Sequence, residues 1–254
     1  MKSEKIKQLA HQLGEQYQKI EDYFTNGSFV IKFYPFLMYP CVRQAQSLSI
    51  KFVAILSIFI GIYYLFTELM AILFSEVSLA AYLHHTSFEL SLPNGTIIDN
   101  NVTVNSPLSF AMRASFLVQG YLFFFIYLLG VTRITQRFRL ISGFSALLFS
   151  CGMVILYSTQ SGKYIENAVQ NLGGSLTFLC GNLAMLMIGF GIKSRQQSTF
   201  KNFSILAGLI GTAAIFITLF LPLPYLALFE RLGITTIMLW EVALGFAILR
   251  QVKK

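Results

Sequence analysis

A chain of 254 residues with 55% hydrophobic and only 12% charged side chains is too apolar for a soluble globular domain, whose charged share is about 25%. The bilayer is therefore its expected solvent. Its 19 lysines and arginines against 11 acidic residues give a formal charge of +8, and the placement of those cations, set out below, excludes nucleic acid as the partner they serve.

In chain order, Met1 to Phe24 places Ile6, Leu9, Leu13, Tyr17, Ile20 and Phe24 three or four residues apart, with Lys5, Lys7, Gln12, Glu15, Lys19 and Asp22 between them. That is the period of an amphipathic helix. Two readings stand: a helix on the inner membrane face or docked to a partner, and a helix packed on the protein's own cytoplasmic side. Its residues are polar and charged rather than those of a cleavable signal peptide. The stretch Phe29 to Tyr39 is aromatic but broken by Lys32 and Pro35, too short to cross, and suits an interfacial anchor.

Six later runs are long and apolar enough to cross: about Phe52 to Ser75, Phe110 to Thr132, Leu140 to Ser158, Leu172 to Ile192, Phe203 to Pro222 and Leu232 to Leu249. With the N-terminus inside, Lys2, Lys5, Lys7, Lys19, Lys32, Arg43, Lys51, Arg133, Arg137, Arg139, Lys193, Arg195, Lys201, Arg250, Lys253 and Lys254 all fall on the cytoplasmic side. Only Arg113, Lys163 and Arg231 are left outside. So strong a positive-inside bias predicts both termini in the cytoplasm of a cell-membrane protein. The short connections Arg133 to Arg139 and Lys193 to Asn202 favour antiparallel neighbours in one bundle. Residues 1–50 read as a cytoplasmic and interfacial segment, and residues 51–250 as the membrane domain.

The longest outer connection, 76–109, contains Glu76, Glu89 and Asp99 but no lysine or arginine. Phe88 to Leu92 and Thr96 to Asp99 flank Pro93-Asn94-Gly95, and Asn-Gly adopts the positive φ of a tight turn, which predicts a small extracytoplasmic β-hairpin. Asn94-Gly-Thr and Asn101-Val-Thr match a glycosylation triplet that matters only in a eukaryote. Cys41, Cys151 and Cys180 show no metal-ligand spacing, and His84-His85 cannot easily share one ion, so neither a disulfide nor a metal site is expected and no cofactor is implied. There is no phosphate-cradling glycine loop, nucleophile elbow or His-Glu-x-x-His helix.

The fourth run, QNLGGSLTFLCGNLAMLMIG, and the last, LFERLGITTIMLWEVALGFAIL, resemble the corresponding segments of the uncharacterised bacterial and archaeal membrane-protein family known as domain of unknown function 998. The positions that carry the resemblance are Asn171, Leu172, Gly173, Gly181 and Asn182, then Glu230, Arg231 and Trp240. Gln170 stands where the family has a histidine, so proton chemistry carried by that histidine would be missing here. The resemblance covers about Phe52 to Leu249 and implies a multi-pass helical fold and a prokaryotic source, with no established activity.

A charge at the bilayer centre costs roughly 3 kcal/mol on insertion scales, so ionisable residues in spans face the bundle or water. Glu68, Asn182 and Glu241 are the clear cases. Asn182 and Glu241 lie at matching depth, which predicts that they meet. Glu68 lies a reach below Arg113, which predicts an ion pair, with Gln119 at similar depth. Glu230 and Arg231 cap the outer end of the sixth span. The functional reading is a polar cavity in the outer half, lined by Glu68, Arg113, Gln119, Asn182, Glu230, Arg231 and Glu241, holding a small amphipathic or zwitterionic ligand such as a lipid headgroup. The structural reading is interhelical bonding, at about 0.6 kcal/mol per pair.

The expected fold is an all-α polytopic membrane protein, a six-transmembrane-helix bundle with an N-terminal amphipathic helix and the outer hairpin. Three function classes stay open: a non-enzymatic protein that binds or moves a small ligand or lipid, an accessory or immunity-type protein that meets a partner through the N-terminal helix or outer loop, and an intramembrane enzyme using Glu241 as a base.

Overall fold

The computed structural model describes residues 2–26, 39–93, 96–98, 102–104, 106–159, 167–193, 197–221 and 225–252. Most of the aromatic stretch Phe29 to Tyr39, the glycosylation triplets' asparagines, Lys163, Pro222 and Pro224 lie outside these. The chain divides into two compact units, residues 1–49 and 50–254. The first contains the helix Lys2–Asn26, long enough at 1.5 Å per residue to reach about 37 Å.

Among the described residues six helices are long and apolar enough to cross a membrane: Pro40–Leu73, Ser109–Ile134, Arg139–Thr159, Val169–Gly191, Ser198–Phe220 and Leu226–Gln251. Hydrocarbon offers no partner for a free N–H or C=O, so each crossing segment satisfies its backbone internally, as a helix. In the first span the side chains divide cleanly by angle. Phe52, Ile55, Phe59, Ile62, Phe66, Leu69 and Leu73, three or four residues apart, are all at least half exposed, while Val53, Ala54, Ser57, Ile60, Tyr64 and Glu68 are buried. An apolar stripe left open along the full length of a helix is what lipid tails cover.

The sixth span is the most enclosed, with 61% of its most apolar stretch buried against 33% in the first and fifth. It packs antiparallel on the first. Ala54 lies against Gly245, Ser57 donates to the Glu241 carbonyl at 2.7 Å, Gly61 lies against Met238 and Arg231 reaches Glu68. Each pair sums to 298 or 299, the mark of one continuous antiparallel register. The two glycines make it possible, since a Cβ on Gly61 would press the Met238 carbonyl at 2.6 Å. Trp240 fills the centre, 1% exposed, with its ring near Phe123 and Phe200 and its Nε1 donating to Ser204 Oγ at 2.9 Å.

Two spans contain a π-helical turn, Tyr127–Val131 in the second and Leu176–Cys180 in the fourth. Such turns misalign the carbonyl ladder and are filled by side chains or mark functional sites. The connection between the second and third spans closes the end of the fourth, where the amides of Gln136 and Arg137 donate to the Gly191 carbonyl at 3.0 and 3.3 Å.

The outer connection differs from expectation. Phe88 to Leu92 forms no strand across Pro93-Asn94-Gly95; Glu89–Ser91 is a 3-10 turn, preceded by the short helix Ser78–His84. Thr86 and Glu89 explain why. The Thr86 amide donates to Glu89 Oε2 at 2.9 Å and the Glu89 amide donates to Thr86 Oγ1 at 3.1 Å, a reciprocal capping box that starts a helical turn. Strand pairing occurs later, Thr96–Ile98 antiparallel to Val102–Val104 with Ile97 opposite Thr103.

Candidate functional site

The first and sixth helices run past one another, so polar residues on their shared seam are brought together in depth order. At the end that bears the 76–109 connection, Arg231 Nη1 donates to Glu68 Oε1 at 2.6 Å, and its Nη2 donates to the carbonyls of His85 at 2.6 Å and Ala81 at 3.1 Å. Ser87 Oγ donates to the same Glu68 oxygen at 2.5 Å. Both members of the pair are buried, Glu68 6% and Arg231 5% exposed, and the guanidinium lies 5.6 Å from the Tyr82 ring centre. A buried ion pair recovers its desolvation cost only when the remaining lone pairs and protons are bonded. Here the short helix and the turn after it supply three such bonds, from the Ala81 and His85 carbonyls and the Ser87 hydroxyl, while Arg231 Nε stays buried without one.

Two further carboxylates crowd this pair. Glu230 interacts electrostatically with Glu89, Arg231 and Glu68. It is 8% exposed, and its Oε1 is buried without a hydrogen bond. Glu89, held by Thr86, also meets His85 Nδ1 at 3.2 Å, and both remain partly open, with side chains 24% and 17% exposed. Three carboxylates thus face one guanidinium and one imidazole. Tyr64, fully buried, lies beside Glu68, Glu230 and Arg231, and the His84 and Tyr225 rings meet each other at 5.2 Å. Tyr225 holds φ at 67°, a left-handed geometry that is strained for an aromatic residue.

About three turns deeper, Gln119 Nε2 donates to Glu241 Oε2 at 2.9 Å and to the Ile60 carbonyl at 3.2 Å, and lies 3.0 Å from Met238 Sδ. Glu241 is 1% exposed, and its Oε1 and Gln119 Oε1 are buried without partners. The crevice beside Glu241, lined by Phe123, Ile126, Tyr127, Val131, Trp240 and Leu244, has no room for a water molecule.

The seven expected site residues therefore fall into separate places. Glu68, Glu230 and Arg231 come together, and Gln119 joins Glu241. Glu68 pairs with Arg231 and not with Arg113, whose guanidinium sits 5.6 Å from the Tyr157 ring with Nε unbonded. Asn182 does not bond to Glu241. Its Nδ2 donates to Phe178 O at 2.8 Å, inside the π turn, and to Gly233 O at 3.2 Å, while its Oδ1 accepts from Thr236 Oγ1 at 3.2 Å. Gly233 and Thr236 lie eight and five residues before Glu241 on the sixth span, so Asn182 sits about 8–12 Å from the level of Glu241 along the helix axis, and the expected matching depth is not found. Ser87, Glu89, His85 and Tyr64 were not among the expected residues. The one available signal was the Thr86-Ser-Phe-Glu89 capping-box spacing, which folds this segment back over the bundle. Among the described residues no group of three or more His, Cys, Asp and Glu is placed to hold a metal ion.

The six apolar helices define the class, an α-helical multi-pass membrane protein. Comparison with family models, with curated proteins and with solved structures finds no match to this chain.

Proposed function

We propose that the chain is a non-enzymatic cell-membrane protein of prokaryotic type, with both termini cytoplasmic, that binds a small amphipathic ligand at its outer end. The ligand's head is cationic, an ammonium, received by Glu230 and Glu89 beside the Glu68–Arg231 pair, with its tail among the lipid. The observation that carries this is Glu230 Oε1, a buried carboxylate oxygen with no hydrogen bond. An unmet acceptor in a desolvated site is costly, about 1–3 kcal/mol and more when charged. The two Nη atoms of the neighbouring guanidinium are committed to Glu68, Ala81 and His85, and its Nε, buried and unbonded, makes no hydrogen bond to Glu230 either. The inward orientation is supported by the sixteen cationic residues assigned to one side in the sequence.

Gln119, Glu241, Asn182 and Arg113 drop out of the ligand set. The first three are enclosed among helices with backbone or side-chain bonds, which supports interhelical bonding. The enzyme reading has little to work with at Glu241, whose walls are apolar apart from Tyr127, and the Tyr127 hydroxyl is engaged by Arg139 O and Ser142.

The test is binding of single-chain amphiphiles of equal tail length bearing an ammonium, a carboxylate or a sugar head to purified protein in nanodiscs. The expected result is preference for the ammonium head, weakened about tenfold, some 1.4 kcal/mol, in Glu230→Gln. Head-group indifference, or an unchanged Glu230→Gln protein, overturns it.

A further inference from the structure

We infer that the helix Lys2–Asn26 lies in the surface of a bilayer, with anionic phospholipid as the partner of its apolar face. The helix belongs to the first unit, residues 1–49, and three of its apolar residues are open to solvent, Leu13 58%, Ile20 51% and Tyr23 61% exposed, while Tyr17 is half-buried. An uncovered apolar stripe has several candidate occupants, and the charges choose among them.

At about 100° per residue, take Leu13 as the centre of the stripe. Tyr17 and Ile20 fall within about 40° of it, and by register so do Ile6, Leu9 and Phe24. Lys19 and Lys7 then fall on opposite flanks, each about 120° away, and the same register puts Lys5 with Lys19. Glu15 and Asp22 fall about 160–180° away, at the pole facing water, as does Glu4. Glu15 is further tied to His11 on that polar side, at 3.4 Å with both side chains well exposed. Glu21 alone among the acids sits nearer a flank.

This helix has as many lysines as acids, Lys2, Lys5, Lys7 and Lys19 against Glu4, Glu15, Glu21 and Asp22, so net charge does not draw it to anything. The angular arrangement does. With the stripe in the acyl boundary, the flanking lysines bury their stems and raise their ammonium groups to the phosphates. The polar carboxylates stand about a helix diameter higher, roughly 10 Å, which is about one Debye length at physiological salt, so their repulsion is largely screened. The inference is independent of the ligand proposed for the Glu230 cluster, because it uses neither those residues nor that site.

The experiment uses the full chain in nanodiscs, with Cys41, Cys151 and Cys180 replaced by serine and a nitroxide attached at Leu13→Cys or at Glu15→Cys. The discs are phosphatidylcholine alone or phosphatidylcholine with a minority of phosphatidylglycerol. Collision of the label with oxygen, which concentrates in lipid, is compared with collision with a water-soluble nickel chelate. The expected result is a lipid signature at position 13 and a water signature at position 15. Lys19→Gln should reduce the surface-bound fraction about fivefold in the anionic discs only, as the loss of one lysine near an anionic surface implies. Equal accessibility at the two positions overturns the inference, because the helix is then free in water. Protection of position 13 from oxygen and chelate alike also overturns it, because protein then covers the stripe.

Discussion

Replacing Arg231 with methionine removes three hydrogen bonds at once, those to Glu68, Ala81 and His85. At the average of about 0.6 kcal/mol for a polar contact in a membrane bundle these amount to roughly 2 kcal/mol. The larger effect is on Glu68, 6% exposed and left with only the Ser87 hydroxyl, since stranding one member of a buried pair costs about 3–5 kcal/mol. The second effect dominates, and Arg231→Met should destabilise by about 3 kcal/mol or more. Glu68→Leu should do comparable damage by stranding the guanidinium. The double variant strands neither charge, so it should be no worse than the poorer single, a coupling of about 3 kcal/mol or more. The assay is unfolding in mixed micelles by dodecyl sulfate titration, followed through the chain's one tryptophan, Trp240, which is 1% exposed and so reports loss of the packed centre. Single effects that simply add, within about 0.5 kcal/mol, would show that the two side chains do not sustain each other, and the account of the outer cluster would fail with them.

Two further outcomes follow from the packing and the topology. A Cβ at Gly211 would land on Asn182 Oδ1 and lie 2.6 Å from Thr236 Oγ1, so Gly211→Ala should destabilise by about 1–3 kcal/mol; Gly211→Ala combined with Asn182→Ala should recover much of that in the same titration. Cys41 is exposed, so a membrane-impermeant maleimide should label it in inverted vesicles and not in intact cells, while Glu76→Cys should show the opposite pattern; labelling of Cys41 from outside would reverse the proposed orientation.

The spans were legible in the sequence with small errors at their ends. The largest difference is in the first, expected from Phe52 and found as part of a helix that begins at Pro40. Hydropathy detects where the solvent changes, whereas a helix continues past that point until the backbone is stopped, and proline at the first helical position starts one readily. The outer segment was misjudged because Pro93-Asn94-Gly95 was weighed as turn chemistry while Thr86 and Glu89, three apart, were not weighed as a capping box.

What the sequence determined by itself is the class and the crossings, and the reason is local: a hydrocarbon solvent requires some twenty apolar residues in a row and a backbone bonded within each segment, both readable without knowing any neighbour. Depth was counted along each helix, and on that count Glu68 suited Arg113 and Asn182 suited Glu241, but Asn182 lies level with Gly233 and Thr236 instead. Only the tertiary structure decided the partners. Which helices adjoin, and how each is turned about its axis, depends on where Gly61 and Gly245 let backbones touch and where two π turns shift the phase. That is how Glu68 meets an arginine 163 positions away, and how Asn182 turns to the carbonyls of Phe178 and Gly233.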